Sequence, residues 1–227
     1  MKLSENTKTI LRNFCEINQS LYVQKGTTLR TISGMKNILA EATVSESFPR
    51  DFAIYDLGQF LGGLSSQIYE DPEFDFTPDT YLLIKDAHTK VKYFYCDPDL
   101  ITTPPDKAIE MPEVAASFDV TESQWLRIRK ASNVYSLPDL CLVADGKNIT
   151  LTVKDKKNST SNTYSVLVGK TDKTFEYNFK MENIRIIAGT YKVYVTDNLL
   201  SKWVLDTDIA NSPLRLTYYI AMEPDLV

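Results

Sequence analysis

The chain has 227 residues, 43% hydrophobic and 24% charged, with 25 basic against 30 acidic side chains and a net charge of −5. That profile fits a globular protein of one large domain or two of roughly 100 residues each. It excludes a membrane helix, which needs an apolar run of about 20 residues, and the polar start MKLSENTKT lacks a signal-peptide core, so a cytoplasmic protein without membrane partners is expected.

Residues 4–17 (SENTKTILRNFCEI) predict an amphipathic helix capped by Ser4, with Ile10, Leu11, Phe14 and Ile17 on one face. Strands follow at LYVQ, TTLRTIS, ILAEATV and DFAIYDL, with turns at Lys25-Gly26 and Gly34. A shorter helix is expected from Asp56 to about Ser66, burying Leu57, Phe60, Leu61 and Leu64. After the acidic loop YEDPEFDFTPD come the strands TYLLIKD and KVKYFYCD. Residues 98–113 then carry four prolines, which remove backbone donors and favour extended chain. They predict a semi-rigid connector between an N-terminal domain of residues 1–97 and a C-terminal domain of residues 114–227.

The second half repeats the order of the first. A helix from 121 to about 133 precedes the strands LCLVAD, ITLTVKD, TYSVLVG and TFEYNFK; then come a short helix at MENIRII and the strands TYKVYVT, KWVLDTD and PLRLTYYIAM. LYVQKGTTLRTIS answers LCLVADGKNITLTV, DFAIYDLGQFLGGLS answers TFEYNFKMENIRIIAG, and TYLLIKD answers TYKVYVT, at offsets of 119, 123 and 110 residues. A diverged duplication is expected: an α+β fold in which each half packs two helices on one face of an antiparallel sheet.

Chemistry of the catalytic kind has little support. Cys15, Cys96 and Cys141 are odd in number and widely spaced, as for buried reduced thiols. The single histidine, His88, sits in a polar turn, and no glycine-rich phosphate loop is present. No catalytic, cofactor or metal site is therefore predicted, and the chain is not expected to be an enzyme.

Positive charge is instead placed on helices. Trp125, Ile128, Ala131 and Tyr135 share one face of the helix starting at Thr121; Arg127 and Lys130 point away from it, and Arg129 sits at its margin, where packing or an ion pair competes with outward exposure. Lys8 and Arg12 lie opposite the apolar face of the first helix, and Arg185, with Lys180 just before it, falls at the helix expected near 181–187. The helix at 56–66 has no basic residue, whereas YEDPEFDFTPD has five acidic ones. Outward helix faces are usually charged, so any one of these is ordinary. Three together in an acidic chain suggest a segregated positive surface suited to sequence-independent phosphate contacts.

These features resemble the DNA polymerase sliding clamps of T-even-type bacteriophages, along essentially the whole chain. The similarity opens with MKLSENTKTILRNFCEIN, is most specific at DFAIYDLGQFLG, and continues through MENIRIIAGTYKVYV to LTYYIAMEPD. The resemblance implies a non-catalytic processivity factor with the DNA-clamp fold, acting in the cytoplasm of an infected bacterial host. Its protomers would assemble head to tail into a trimeric ring that encircles duplex DNA and tethers the replicative DNA polymerase. A clamp loader ATPase, and RNA polymerase accessory factors in late transcription, are further partners it implies. Lys8, Arg12, Arg127, Lys130 and Arg185 would face the DNA, with Arg129 and Lys180 less central. Partner peptides would enter an apolar pocket beside the connector and tail, for which Ile101, Ile109, Tyr219, Ala221 and Met222 are candidates. Two other readings compete: a phage structural or assembly protein forming a β-rich ring without threading DNA, and a monomeric single-strand-binding or transcription accessory protein. The second is disfavoured because the exposed basic positions are not interleaved with aromatics for base stacking.

Overall fold

The computed structural model describes residues 1–65, 68–205 and 215–224, and the chain divides into two compact units, one beginning with Met1–Lys107 and the other at Ala108. Ser66, residues 206–208 of the expected strand KWVLDTD and residues 213–214 of the last strand lie outside the described residues.

In the first unit α1 (Glu5–Ile17) starts where the Ser4 side chain accepts a hydrogen bond from the Thr7 N–H at 3.2 Å, satisfying one of the donors a helix start leaves open. It precedes β1 (Leu21–Val23), β2 (Gly26–Ile32), β3 (Ile38–Phe48) and β4 (Phe52–Ile54), which pair antiparallel in the order β4-β1-β2-β3. Strict alternation along the second half of β3 buries Val44, Glu46 and Phe48 and turns the residues between them outward. α1 lays Ile10, Leu11, Phe14 and Ile17 on this sheet and on α2 (Leu57–Ser65), whose buried residues are Leu57, Phe60 and Leu61. β5 (Glu73–Asp75), β6 (Tyr81–Lys85) and β7 (Lys90–Phe94) form a second antiparallel sheet. Met1 extends it by exchanging both backbone hydrogen bonds with Phe74, at 2.9 and 2.7 Å.

The second unit begins with β8 (Val114–Val120), then α3 (Glu122–Tyr135) and the sheet of β9 (Asp139–Asp145), β10 (Asn148–Lys154), β11 (Tyr164–Lys170) and β12 (Thr174–Lys180), ordered β11-β10-β9-β12. Gly146 turns β9 into β10 at φ +83°, a left-handed conformation glycine adopts without a Cβ penalty. The Asp145 carboxylate accepts from the Lys147 and Asn148 N–H groups across the same turn. β13 (Tyr191–Thr196) pairs with β8 on one side and β14 (Leu200–Leu205) on the other, and β14 pairs with β15 (Arg215–Ala221). Under α3, Trp125 meets Trp203 edge to face at 5.7 Å, and Trp203 also contacts Phe179 and Tyr191. Trp125, Trp203 and Tyr191 are fully buried.

Three sequence expectations need correction. Four α-helices were expected, but MENIRII forms only a 3-10 turn, Met181–Asn183. Ile184 and Ile186 are buried beyond it in chain that is neither helix nor strand, so this apolar run reaches the core without a helix. The repeat is present, since β4-β1-β2-β3 and β12-β9-β10-β11 share one strand order, but its third match is one strand out. TYKVYVT is β13, which pairs with β8 as β5 pairs with Met1, so it corresponds to β5 and TYLLIKD corresponds to β14. Tyr81 and Leu200, which open β6 and β14, are 119 positions apart, the same offset as the first match. Finally, Tyr135 is not part of the buried face of α3: it is 51% exposed, and Ser132 takes the position, donating to the Leu137 carbonyl at 2.7 Å.

Candidate nucleic-acid and partner interfaces

The chemistry of α3 starts at its N-terminus. Thr121 and Gln124 form a reciprocal capping box, the Gln124 N–H donating to Thr121 Oγ1 at 3.3 Å and the Thr121 N–H to Gln124 Oε1 at 2.8 Å. This cap is neutral and adds no negative charge beyond Glu122 in the first turn. With Trp125, Ile128, Ala131 and Ser132 buried, Arg127, Arg129 and Lys130 are all exposed. Among the described residues none of the three forms an ion pair. Arg129 is therefore an outward cation like its neighbours, not the packed or paired residue its marginal position suggested.

On α1 the two expected cations behave differently. Arg12 is exposed and, among the described residues, makes no ion pair, whereas Lys8 is partly buried and donates to Glu5 Oε1 at 2.8 Å. Below the helix lies a feature the charge pattern did not reveal. Glu46, 9% exposed, reaches from β3 to the helix start, where its carboxylate accepts from the Ser4 N–H, Thr7 Oγ1 and Ser45 Oγ. Burial pushes the Glu46 carboxyl upward, but the hydrogen bonds from Ser4 and Thr7 outweigh it and hold the group below the usual carboxylate range. Its signal was its parity: in β3 it falls on the same face as Val44 and Phe48.

The other two basic candidates are engaged locally. Lys180 donates to Asp139 Oδ1, whose side chain is 3% exposed, and the Lys156 N–H donates to the other carboxylate oxygen at 2.9 Å. Despite the cost of burial, those partners hold the Asp139 carboxyl below its ordinary range, and the bond to Asp139 raises Lys180. Lys180 is thus a structural cation at the base of β12. Arg185 is exposed, with Nε donating to the Glu182 carbonyl at 3.0 Å.

The partner-pocket candidates are placed as follows. Along β15, Tyr218 and Ile220 are buried, while Tyr219 and Ala221 lie on the opposite, partly exposed face. Lys202 Nζ stands 5.7 Å from the centre of the Tyr219 ring. Met222 is 4% exposed, with its N–H on the Leu199 carbonyl at 2.8 Å, so it faces the interior. Ile101 and Ile109 are partly exposed in a connector with no regular structure beyond the 3-10 turn Pro98–Leu100. No group of three or more metal-ligating side chains occurs among the described residues.

Two topologically matching units, each carrying an antiparallel sheet under a long helix, define the DNA-clamp class of fold. Solved structures agree. PCNA of Archaeoglobus (A. fulgidus), solved with the C-terminal region of FEN-1, superposes with a TM-score of 0.72 at 13% identity, covering 97% of this chain and 96% of that one. PCNA of Thermococcus kodakaraensis gives 0.72 at 13% identity and 98% of both chains. The DNA polymerase processivity factor family profile matches residues 3–102. The sliding clamp of Vibrio phage KVP40 is 31% identical over 98% of this chain and 99% of its own length; that of Enterobacteria phage T4 is 28% identical over 85% and 86%. The chain belongs to the phage sliding-clamp family of DNA polymerase processivity factors. These relationships disfavour the assembly-protein alternative.

Proposed function

We propose that the chain assembles head to tail into a trimeric ring around duplex DNA, with the outward faces of α1 and α3 toward the phosphates. The ring holds the replicative DNA polymerase on its template without catalysis of its own. The observation that carries this reading is the run of three exposed cations on α3 that form no ion pair among the described residues, joined by Arg12 on α1, in a chain of net charge −5. Long, mobile cations that are not committed to carboxylates attract the duplex diffusely, so no fixed contact has to break for the ring to move along it. Ring closure would use sheet edges: β7 and β11 each pair with one neighbour, and Phe94 and Leu167 on them are 66% and 55% exposed. An ATP-driven clamp loader would open the ring, and the candidates for meeting partner peptides are Ile101, Ile109, Tyr219, Ala221 and Met222. A role with RNA polymerase accessory factors in late transcription follows from the family alone, as does location in the cytoplasm of the infected host.

The test neutralises the face of α3 with Arg127→Gln, Arg129→Gln and Lys130→Gln together. Polymerase product length on primed circular template, with clamp loader and ATP, should fall several-fold and become less sensitive to salt, while the mass of the assembly is unchanged. Full processivity in the triple variant would return these residues to the role of a solvated helix face.

A further inference from the structure

The connector has an unusual attachment problem. Pro104 and Pro105 have no N–H to donate, and among the described residues no backbone–backbone hydrogen bond ties residues 102–107 to the rest of the first unit. At the prolines backbone hydrogen bonds can form only at carbonyl oxygens, and side-chain donors elsewhere in the unit can reach the carbonyls of this segment. Two side chains do so. Asn18, just past the end of α1, donates through Nδ2 to the Thr102 carbonyl at 3.1 Å and to the Ile32 carbonyl of β2 at 3.0 Å. Arg30, in the middle of β2, donates through Nη1 to the Pro105 carbonyl at 2.8 Å, and its Nη2 lies 3.5 Å from the Lys107 carbonyl. The Arg30 side chain is only 14% exposed, and its register partner on β3 is Glu41, whose carboxylate lies 3.2 Å from Nε. The planar guanidinium thus places its two terminal nitrogens on the connector and its Nε at ion-pair distance from the carboxylate without a hydrogen bond to it, a geometry a lysine ammonium does not reproduce.

We propose that Arg30, oriented by Glu41 and assisted by Asn18, is a positioning residue that fixes the path of the connector and thereby sets the affinity of the partner site to which Ile101 and Ile109 contribute. This rests on the partner-site reading above. Arg30 touches no partner. It acts by keeping the connector in one binding-competent path, and a partner's apparent dissociation constant rises in proportion as that path becomes less populated.

The experiment uses the full-length chain and the cognate phage DNA polymerase in the absence of DNA, and it follows limited tryptic cleavage after Lys107. In Arg30→Gln, cleavage at Lys107 should accelerate about tenfold and the polymerase dissociation constant rise about tenfold, at an unchanged thermal midpoint. Arg30→Lys keeps the charge opposite Glu41 but loses the fork, so it should resemble Arg30→Gln. Full recovery by Arg30→Lys would reduce the residue to a cross-strand charge pair and overturn the proposal. If Arg30→Gln fails to fold, Asn18→Ala carries the same two measurements with smaller expected effects. Unchanged cleavage at Lys107 refutes the strap whatever the polymerase does. Accelerated cleavage with unaltered polymerase affinity refutes the coupling, and a wild-type chain that binds no polymerase refutes the partner-site reading instead.

Discussion

Glu46→Ala tests how the first basic helix is held. The substitution removes a carboxylate that accepts from the Ser4 N–H, Thr7 Oγ1 and Ser45 Oγ at the start of α1. A hydrogen bond to a charged group contributes about 1.5–3 kcal/mol, and a negative charge at a partly buried helix N-terminus up to about 2 kcal/mol. Ser4 and Ser45 can regain water, so the whole sum is not lost; about 3 kcal/mol is expected at pH 7, mostly from the buried Thr7 hydroxyl and the helix start. For a chain of this length that corresponds to a melting point lower by roughly 6–12 °C. Glu46→Gln, which keeps an acceptor but loses the charge, should cost about half as much. The pH dependence fixes the mechanism. The folded chain holds the Glu46 carboxyl below its ordinary value of 4.5, so its contribution is complete above that pH. It is lost as the pH falls through the depressed folded value. Wild-type and Glu46→Ala chains, melted at equal protein concentration, should differ widely at pH 7 and converge only as the pH falls through the depressed folded value. A gap that stays constant across the whole acid range in which the wild-type chain remains folded would show that only volume and packing matter at this position, and the electrostatic account would be wrong.

Lys180 and Asp139 should prove to be residues of stability rather than DNA contact. Lys180→Met strands a carboxylate whose side chain is 3% exposed, and about 3 kcal/mol of stability should be lost, while retention of the surviving folded protein on circular DNA is unchanged. Trp125→Ala should cost about 3–5 kcal/mol by opening a cavity beneath α3, read as a lowered denaturation midpoint together with loss of the near-ultraviolet signal of the Trp125–Trp203 pair.

How much of this was legible in the sequence depended on how the signal was carried. α1 and α3 were readable because cap, apolar stripe and outward charge agree within one short window, from Ser4 to Ile17 and from Thr121 to Ala131. β8 was missed because VAASFDV buries only Phe118 and Val120 and otherwise shows small residues with no alternation to follow. β5 was hidden in an acidic loop, since Phe74 alone marks it and its partner, Met1, lies at the other end of the unit. MENIRII was read as a helix because four apolar residues in seven fit either period over so short a run. At the interfaces, charge could be counted but pairing could not. Whether Lys180 or Arg129 finds a carboxylate depends on which strand lies beside it, and that is set by long-range register. Arg30 and Asn18 were invisible for the same reason: their function is defined by a proline-rich segment more than 70 positions away.

The pattern of pairing explains how an acidic chain can present positive helices. In the first unit the acidic segment after α2 is matched by nearby cations: Asp71 with Lys2, Asp75 with Lys85, Asp79 with Arg50. On the sheets, Arg30 is matched by Glu41, Lys154 by Glu176 and Lys180 by Asp139. Exposed pairs of this kind add little to stability, typically less than about 1 kcal/mol each, so their number is not an argument about folding. Their effect is on the field. Paired charges nearly cancel beyond a Debye length of about 8 Å at physiological salt, whereas Arg12, Arg127, Arg129 and Lys130, which form no ion pair among the described residues, do not. The anchors of the two helices preserve this difference. Glu46 spends its charge on donors beneath the N-terminus of α1, and the capping box of α3 is itself neutral, leaving Glu122 as the carboxylate of its first turn. Moving a carboxylate to the outward face, as in Ser123→Glu four positions before Arg127, would leave the fold intact and still weaken attraction to a duplex, because it would supply Arg127 with the ion-pair partner it lacks among the described residues.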